Sequence, residues 1–197
     1  MKAYKDSAGH IRLFRPMMNM ERLAKSASRL ALPAFDKGGL LECVEELVKL
    51  DHSWIPQEKG YSLYIRPTMI ATQETLGVAA SDRALLFVIL SPVGPYYKTG
   101  FAAVSLLANE KHVRAWPGGT GSHKVGGNYA PCILPQREAS ERGYQQNLWL
   151  FGPDHEITEV GTMNCFILWE NENHGEWMDV RCWILDVGCW KGNSWML

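Results

Sequence analysis

The chain has 197 residues, enough for one large domain or two small ones. Hydrophobic residues at 46% and charged residues at 21% describe an ordinary soluble globular protein. A formal net charge of −1 argues against nucleic acid or an anionic membrane as the main partner. No apolar run approaches the roughly 20 residues of a membrane span. The opening Met-Lys-Ala-Tyr-Lys-Asp carries neither a secretory apolar region nor an Arg/Ser-rich amphipathic transit segment. The five cysteines (Cys43, Cys132, Cys165, Cys182, Cys189) are odd in number and form no CxxC pair, so reduced thiols are expected rather than a disulfide framework. Scattered histidines give a zinc site no support.

In chain order, residues 6–9 read as a turn and 11–14 as a short strand. Pro16 and Asn19 then open a helix, with Asn19 as its N-cap and Leu23, Ala27 and Leu30 at core-facing spacing. Arg22 falls in the first turn, where a cation is disfavoured unless an anion is bound there; a solvated arginine is the plain alternative. Asp36 caps a second helix with one apolar stripe of Leu40, Leu41, Val44, Leu47 and Val48. Residues 61–70 are extended, so Tyr64 and Arg66 share one face and Leu63 and Ile65 the other. The continuous apolar run 84–91 predicts a strand buried on both faces. The Pro- and Gly-dense stretch 91–100, which contains Tyr96, reads as a linker. Beyond it, strands are expected at 103–108 and 113–116, then a helix over 128–143 kinked or weakened by Pro135. Strands at 147–151 and 156–160 flank the Gly152-Pro153-Asp154-His155 turn, and a further strand is expected at 165–169.

Between those strands and that helix lies Trp116-Pro117-Gly118-Gly119-Thr120-Gly121-Ser122-His123-Lys124-Val125-Gly126-Gly127-Asn128-Tyr129. Glycines on both sides let the backbone take positive φ and approach a ligand closely. A nucleotide-binding P-loop needs Gly before the lysine and Ser/Thr after it, and Lys124 stands between His123 and Val125. What remains is an amine that condenses with a carbonyl to give a Schiff base, or a solvated lysine on a flexible loop.

Lys124-Val125-Gly126-Gly127-Asn128-Tyr129, followed by Thr158-Glu159-Val160-Gly161-Thr162-Met163-Asn164, resembles the branched-chain amino acid aminotransferases, the animal enzymes in particular. The likeness runs from Met1 to about Trp169. It implies an α+β, two-domain, fold type IV enzyme using pyridoxal 5'-phosphate, with the large domain incomplete. The implied divisions are a small domain at 1–92 whose start is missing, a linker at 93–102, the first part of the cofactor-binding domain at 103–169, and a divergent tail at 170–197. That tail holds Trp177, Trp183, Trp190 and Trp195 with no regular period. By resemblance, Lys124 binds the cofactor and moves the proton, with burial lowering its pKa. Glu159 meets the ring nitrogen, Tyr129 the phenolic oxygen and Arg22 the phosphate, with Thr162 a weaker contributor. Tyr64, Arg66 and Tyr96 line the substrate cavity, Arg66 reading a carboxylate. The implied reaction moves the amino group of leucine, isoleucine or valine to 2-oxoglutarate in a homodimer. An inactive fragment pairing with a full-length subunit is the alternative. Arg15, the Leu-Phe-Arg-Pro run and the 152–155 turn lean toward the mitochondrial rather than the cytoplasmic pattern.

Overall fold

The computed structural model describes residues 1–96 and 102–164, with the backbone of 190–191 and 194–195. The chain divides into two compact units, Met1–Ala102 and Ala103–Leu197. No helix among the described residues is long and apolar enough to cross a membrane.

In the first unit, strands β1 (Lys2–Lys5), β2 (Ile11–Leu13), β3 (Ser62–Ala71) and β4 (Ala84–Val93) form an antiparallel sheet in the order β2-β1-β3-β4. Helices α1 (Pro16–Arg29) and α2 (Lys37–Leu50) come between β2 and β3 in the chain. Period-2 alternation decides which side of β3 is dry. Leu63 and Ile65 pack with Ala3, Ile55, Val44 and Val48 of α2, and with Val88 and Leu90 of β4. Tyr64 and Arg66 point to the opposite face, as expected, opposite Ser91 and Ile89 of β4. Of the α2 stripe, Val44 and Val48 are buried; Leu40, Leu41 and Leu47 are half-buried. Asp36 caps that helix, its carboxylate accepting from the Gly38 amide at 2.9 Å.

Several expectations in this unit need correction. Helix α1 begins at Pro16, with Arg15 as N-cap at φ 43° and no side-chain cap. Proline's fixed φ and missing N–H suit the first helical position, so Pro16 displaces Asn19 from the cap. Asn19 lies inside the helix and Arg22 in its second turn, beyond the reach of the terminal dipole. Leu30 is the exposed C-cap rather than a core residue. Strand β4 is not buried on both faces: Leu85 and Ile89 are 51% and 52% exposed. It is an edge strand, and the core of its unit packs against one side of it. Strand β1 escaped the sequence reading because Ala3 is its only buried position.

In the second unit, β5 (Leu106–Asn109) runs parallel to β6 (Gln146–Phe151), which pairs antiparallel with β7 (Glu156–Val160). A parallel pair requires a long crossover. Here the crossover is the lysine loop followed by α3 (Ile133–Glu141). The helix expected over 128–143 is instead two 3-10 turns, Gly126–Asn128 and Ala130–Cys132, and then α3. Starting at Ile133 puts Pro135 in the first turn, where its missing N–H costs no helical hydrogen bond, so the expected kink does not arise. Gly143 closes α3 at φ 84°, with the Tyr144 amide donating to Ala139 and the Gly143 amide to Ser140. The buried Asn147 accepts from Asn109 at 3.0 Å and donates to Gln136 at 3.2 Å, tying α3 to both strands. Residues 113–116 are not a strand, and Arg114 and Ala115 are buried. The strand expected at 165–169 lies outside the described residues, as does the tail except for its paired β8 (Trp190–Lys191) and β9 (Ser194–Trp195).

Two substitutions test these contacts. Asp36→Ala should cost about 1 kcal/mol by loss of the helix cap, and Asp36→Asn much less, in urea unfolding. Equal losses would show that the side-chain bond does not matter. Gly161 sits at φ 54°, and an added Cβ would collide with the Gln146 side chain. Gly161→Ala should therefore cost about 2 kcal/mol or more, and an unchanged unfolding midpoint would contradict that geometry.

Candidate functional site

Side-chain bonds shape the lysine loop before any ligand is considered. The buried Asn128 amide group donates to the Thr120 and His123 carbonyls, both at 2.7 Å, and accepts from the Thr120 hydroxyl at 2.6 Å. The His123 amide bonds the Thr120 carbonyl at 2.9 Å, and the Val125 amide the His123 carbonyl at 3.1 Å. These bonds hold both ends of the turn that presents Lys124. Gly118 takes φ 81°. Gly126 and Gly127 have ordinary φ and serve differently: a Cβ at either would meet no atom within 4 Å, so they leave open space next to the lysine.

Lys124 is exposed, contrary to the burial expected of it. Its Nζ donates to the Tyr129 hydroxyl at 3.0 Å and lies 5.0 Å from the centre of that ring. Arg114 also lies over the ring, at 5.3 Å. Its Nη2 stands 3.6 Å from Oε1 of Glu159, with the two side chains 4% and 14% exposed. Lys124, Tyr129 and Glu159 are thus joined in one series of contacts through Arg114. Glu159 projects from β7 beside a bulge in the β6–β7 pairing, where Trp149 opposes it. Thr158, buried at that bulge, donates to the Trp149 carbonyl at 3.1 Å. Trp149 in turn donates to the Gly161 carbonyl at 3.1 Å. Burial pushes the Cys132 thiol above its usual range; Arg114 opposes that shift and Glu159 adds to it. Thr162, in the turn after β7, is exposed.

The other candidates lie in the first unit. Arg22 is exposed and donates to Asn19 Oδ1 at 2.9 Å. Arg66 stacks over the Tyr64 ring at 5.1 Å, on the sheet face away from the core. Tyr96 is 64% exposed in the segment after β4. No group of three or more His, Cys, Asp or Glu side chains among the described residues is placed to hold a metal ion. Arg114 is the residue that sequence reasoning missed. Its signal was one charge among Val113, Ala115 and Trp116, which alternation presents as an ordinary strand.

Residues 1–177 match the family model for amino-transferase class IV. The cytosolic branched-chain-amino-acid aminotransferase of Saccharomyces cerevisiae is 57% identical over 176 residues, covering 89% of this chain and 47% of that protein. The mitochondrial enzyme of that name from Bos taurus is 55% identical over 174 residues, covering 88% of this chain and 44% of that protein. The likeness to a fungal relative is thus as close as to an animal one. The crystal structure of the T.th. branched-chain amino acid aminotransferase with pyridoxamine 5'-phosphate superimposes with a TM-score of 0.67 at 26% identity, over 85% of this chain and 53% of that one. The chain spans about half the length of these two curated relatives. Its α+β architecture is that of the fold type IV aminotransferases, and the chain belongs to the class IV aminotransferase family.

Proposed function

We propose that this chain carries the lysine-bearing part of a pyridoxal 5'-phosphate-dependent transaminase that moves the α-amino group of leucine, isoleucine or valine to 2-oxoglutarate. The observation behind this reading is the Lys124 amine 3.0 Å from the Tyr129 hydroxyl, connected through Arg114 to Glu159. A pyridoxal group needs an amine to attach to, a hydrogen-bonding partner for its phenolic oxygen and a carboxylate for its ring nitrogen. Those three groups stand in this one series of contacts, beside the open space at Gly126 and Gly127. The donor set fits the cofactor.

When bound, the cofactor supplies an electron sink for the pair released as the substrate Cα loses its proton. In this reading Lys124 anchors the cofactor and, once freed, carries that proton. Glu159 holds a proton at the ring nitrogen, and the Tyr129 hydroxyl bonds the phenolic oxygen. Arg22 is assigned the phosphate, with Thr162 a weaker contributor, on the resemblance. Tyr64, Arg66 and Tyr96 are assigned to the substrate on the same ground. The guanidinium of Arg66 suits the side-chain carboxylate of 2-oxoglutarate, which it can bind through two parallel N–H donors. Homodimer formation and the lean toward a mitochondrial form rest on the resemblance alone; the relatives include both mitochondrial and cytosolic enzymes.

A second reading is a chain that does not catalyse and instead pairs with a full-length subunit. The exposure of Lys124 and of Leu85 and Ile89 on the Tyr64–Arg66 face favours it. Pyridoxal phosphate titrated into the purified protein should raise a visible absorption band that Lys124→Ala abolishes. With leucine and 2-oxoglutarate, glutamate should form above the Lys124→Ala blank. A band without glutamate selects the second reading. Absence of the band refutes the first.

A further inference from the structure

The Arg114 side chain is 4% exposed, and its Nε and Nη1 have no hydrogen-bond partner among the described residues. A guanidinium keeps its charge at any ordinary pH, so burying it requires a counter-charge. Glu159 provides that charge through Nη2 at 3.6 Å. The flat cation also lies over the Tyr129 ring, the ring whose hydroxyl accepts from Lys124. One guanidinium therefore touches both the carboxylate from β7 and the aromatic ring from the lysine loop. We propose that Arg114 is a positioning residue, fixing Glu159 and Tyr129 relative to each other beside the Lys124 amine. The proposal rests on the cofactor reading above.

Its physical basis is the two attachments. Without Arg114, the Glu159 carboxylate loses the cation it pairs with, and the Tyr129 ring loses the group stacked on it. Ring nitrogen and phenolic oxygen belong to one rigid heterocycle, so their two protein partners must be set in register together. A positive charge at this place also disfavours added protons on whatever is bound beside it. Charged and titratable groups facing this guanidinium are Glu159, Tyr129 and Cys132, with Lys124 at the hydroxyl of the ring.

Two measurements test the proposal. The first uses cofactor-free protein and compares melting temperatures of the native chain, Arg114→Met, Glu159→Gln and the double variant. Glu159→Gln should lower Tm by several degrees, because it leaves a buried cation without its counter-charge. The double variant should melt above Glu159→Gln alone. Losses that simply add would show that Arg114 is not held by Glu159, and would overturn the proposal. The second follows the pH midpoint of the visible pyridoxal phosphate band. Arg114→Met should move that midpoint up by about one pH unit, and Arg114→Lys, which keeps the charge, should return most of it. Arg114→Gln serves if Arg114→Met does not fold. An unmoved midpoint, in a protein whose band Lys124→Ala abolishes, overturns the positioning role and leaves the cofactor reading standing. No band in the native chain refutes the cofactor reading and the positioning role with it, even if the melting cycle still shows the ion pair.

Discussion

A guanidinium taken out of water must keep a carboxylate beside it, and in this chain that requirement ties residues 113–116 to β7. The hydrophobic effect buries the surroundings of Arg114 without specifying any direction. The pairing with Glu159 specifies one, because only one carboxylate of the described residues lies within ion-pair distance. Replacing such a pair by apolar residues is often neutral for stability, whereas removing one partner is not. The pair is thus weak evidence of a stabilising device and better evidence of a geometric one. What it holds in place is the carboxylate, and next to it the tyrosine ring.

How much of this could be read from the sequence depended on whether a signal was local. Asp36 and the α2 stripe were legible because a cap and a 3.6-residue period need only a dozen neighbours. The facing of Tyr64 and Arg66 was legible because alternation along a strand is geometric. Errors arose where one local pattern fits two environments. The run 84–91 is apolar throughout, which fits a central strand, yet β4 is an edge strand with one face left open. Alternation at 113–116 suggested a strand, but alternation cannot reveal that the intervening cation is buried against a residue far along the chain. Asn19 and Pro16 both carry helix-start signals, and steric fit at the first position favoured the proline.

The motif around Lys124 announced chemistry without giving its surroundings. Glycines flanking a lysine were read as permission for positive φ, yet Gly126 and Gly127 adopt ordinary angles and contribute space. Burial was expected for the lysine because a base at neutral pH needs desolvation. The described residues leave its side chain exposed. The stretch matched to the curated relatives is less than half of their length. The residues that touch the amine are encoded nearby in the chain. Those that would exclude water from it need not be.

That division separates the two sides of the site by what they depend on. The turn presenting Lys124 is fixed by Asn128 through bonds to Thr120 and His123, all within the same loop. Local contacts of this kind form early and cost little loop entropy. The placement of Glu159 needs β5, β6 and β7 assembled, the bulge at Thr158 accommodated and the turn at Gly161 closed. Arg114 bridges the two, since it stacks on the ring that follows the lysine and pairs with the acid on the strand. Loosening the sheet should therefore displace the carboxylate before the amine. The lysine would keep its loop and its bond to the Tyr129 hydroxyl while losing the carboxylate at the far end of that series of contacts.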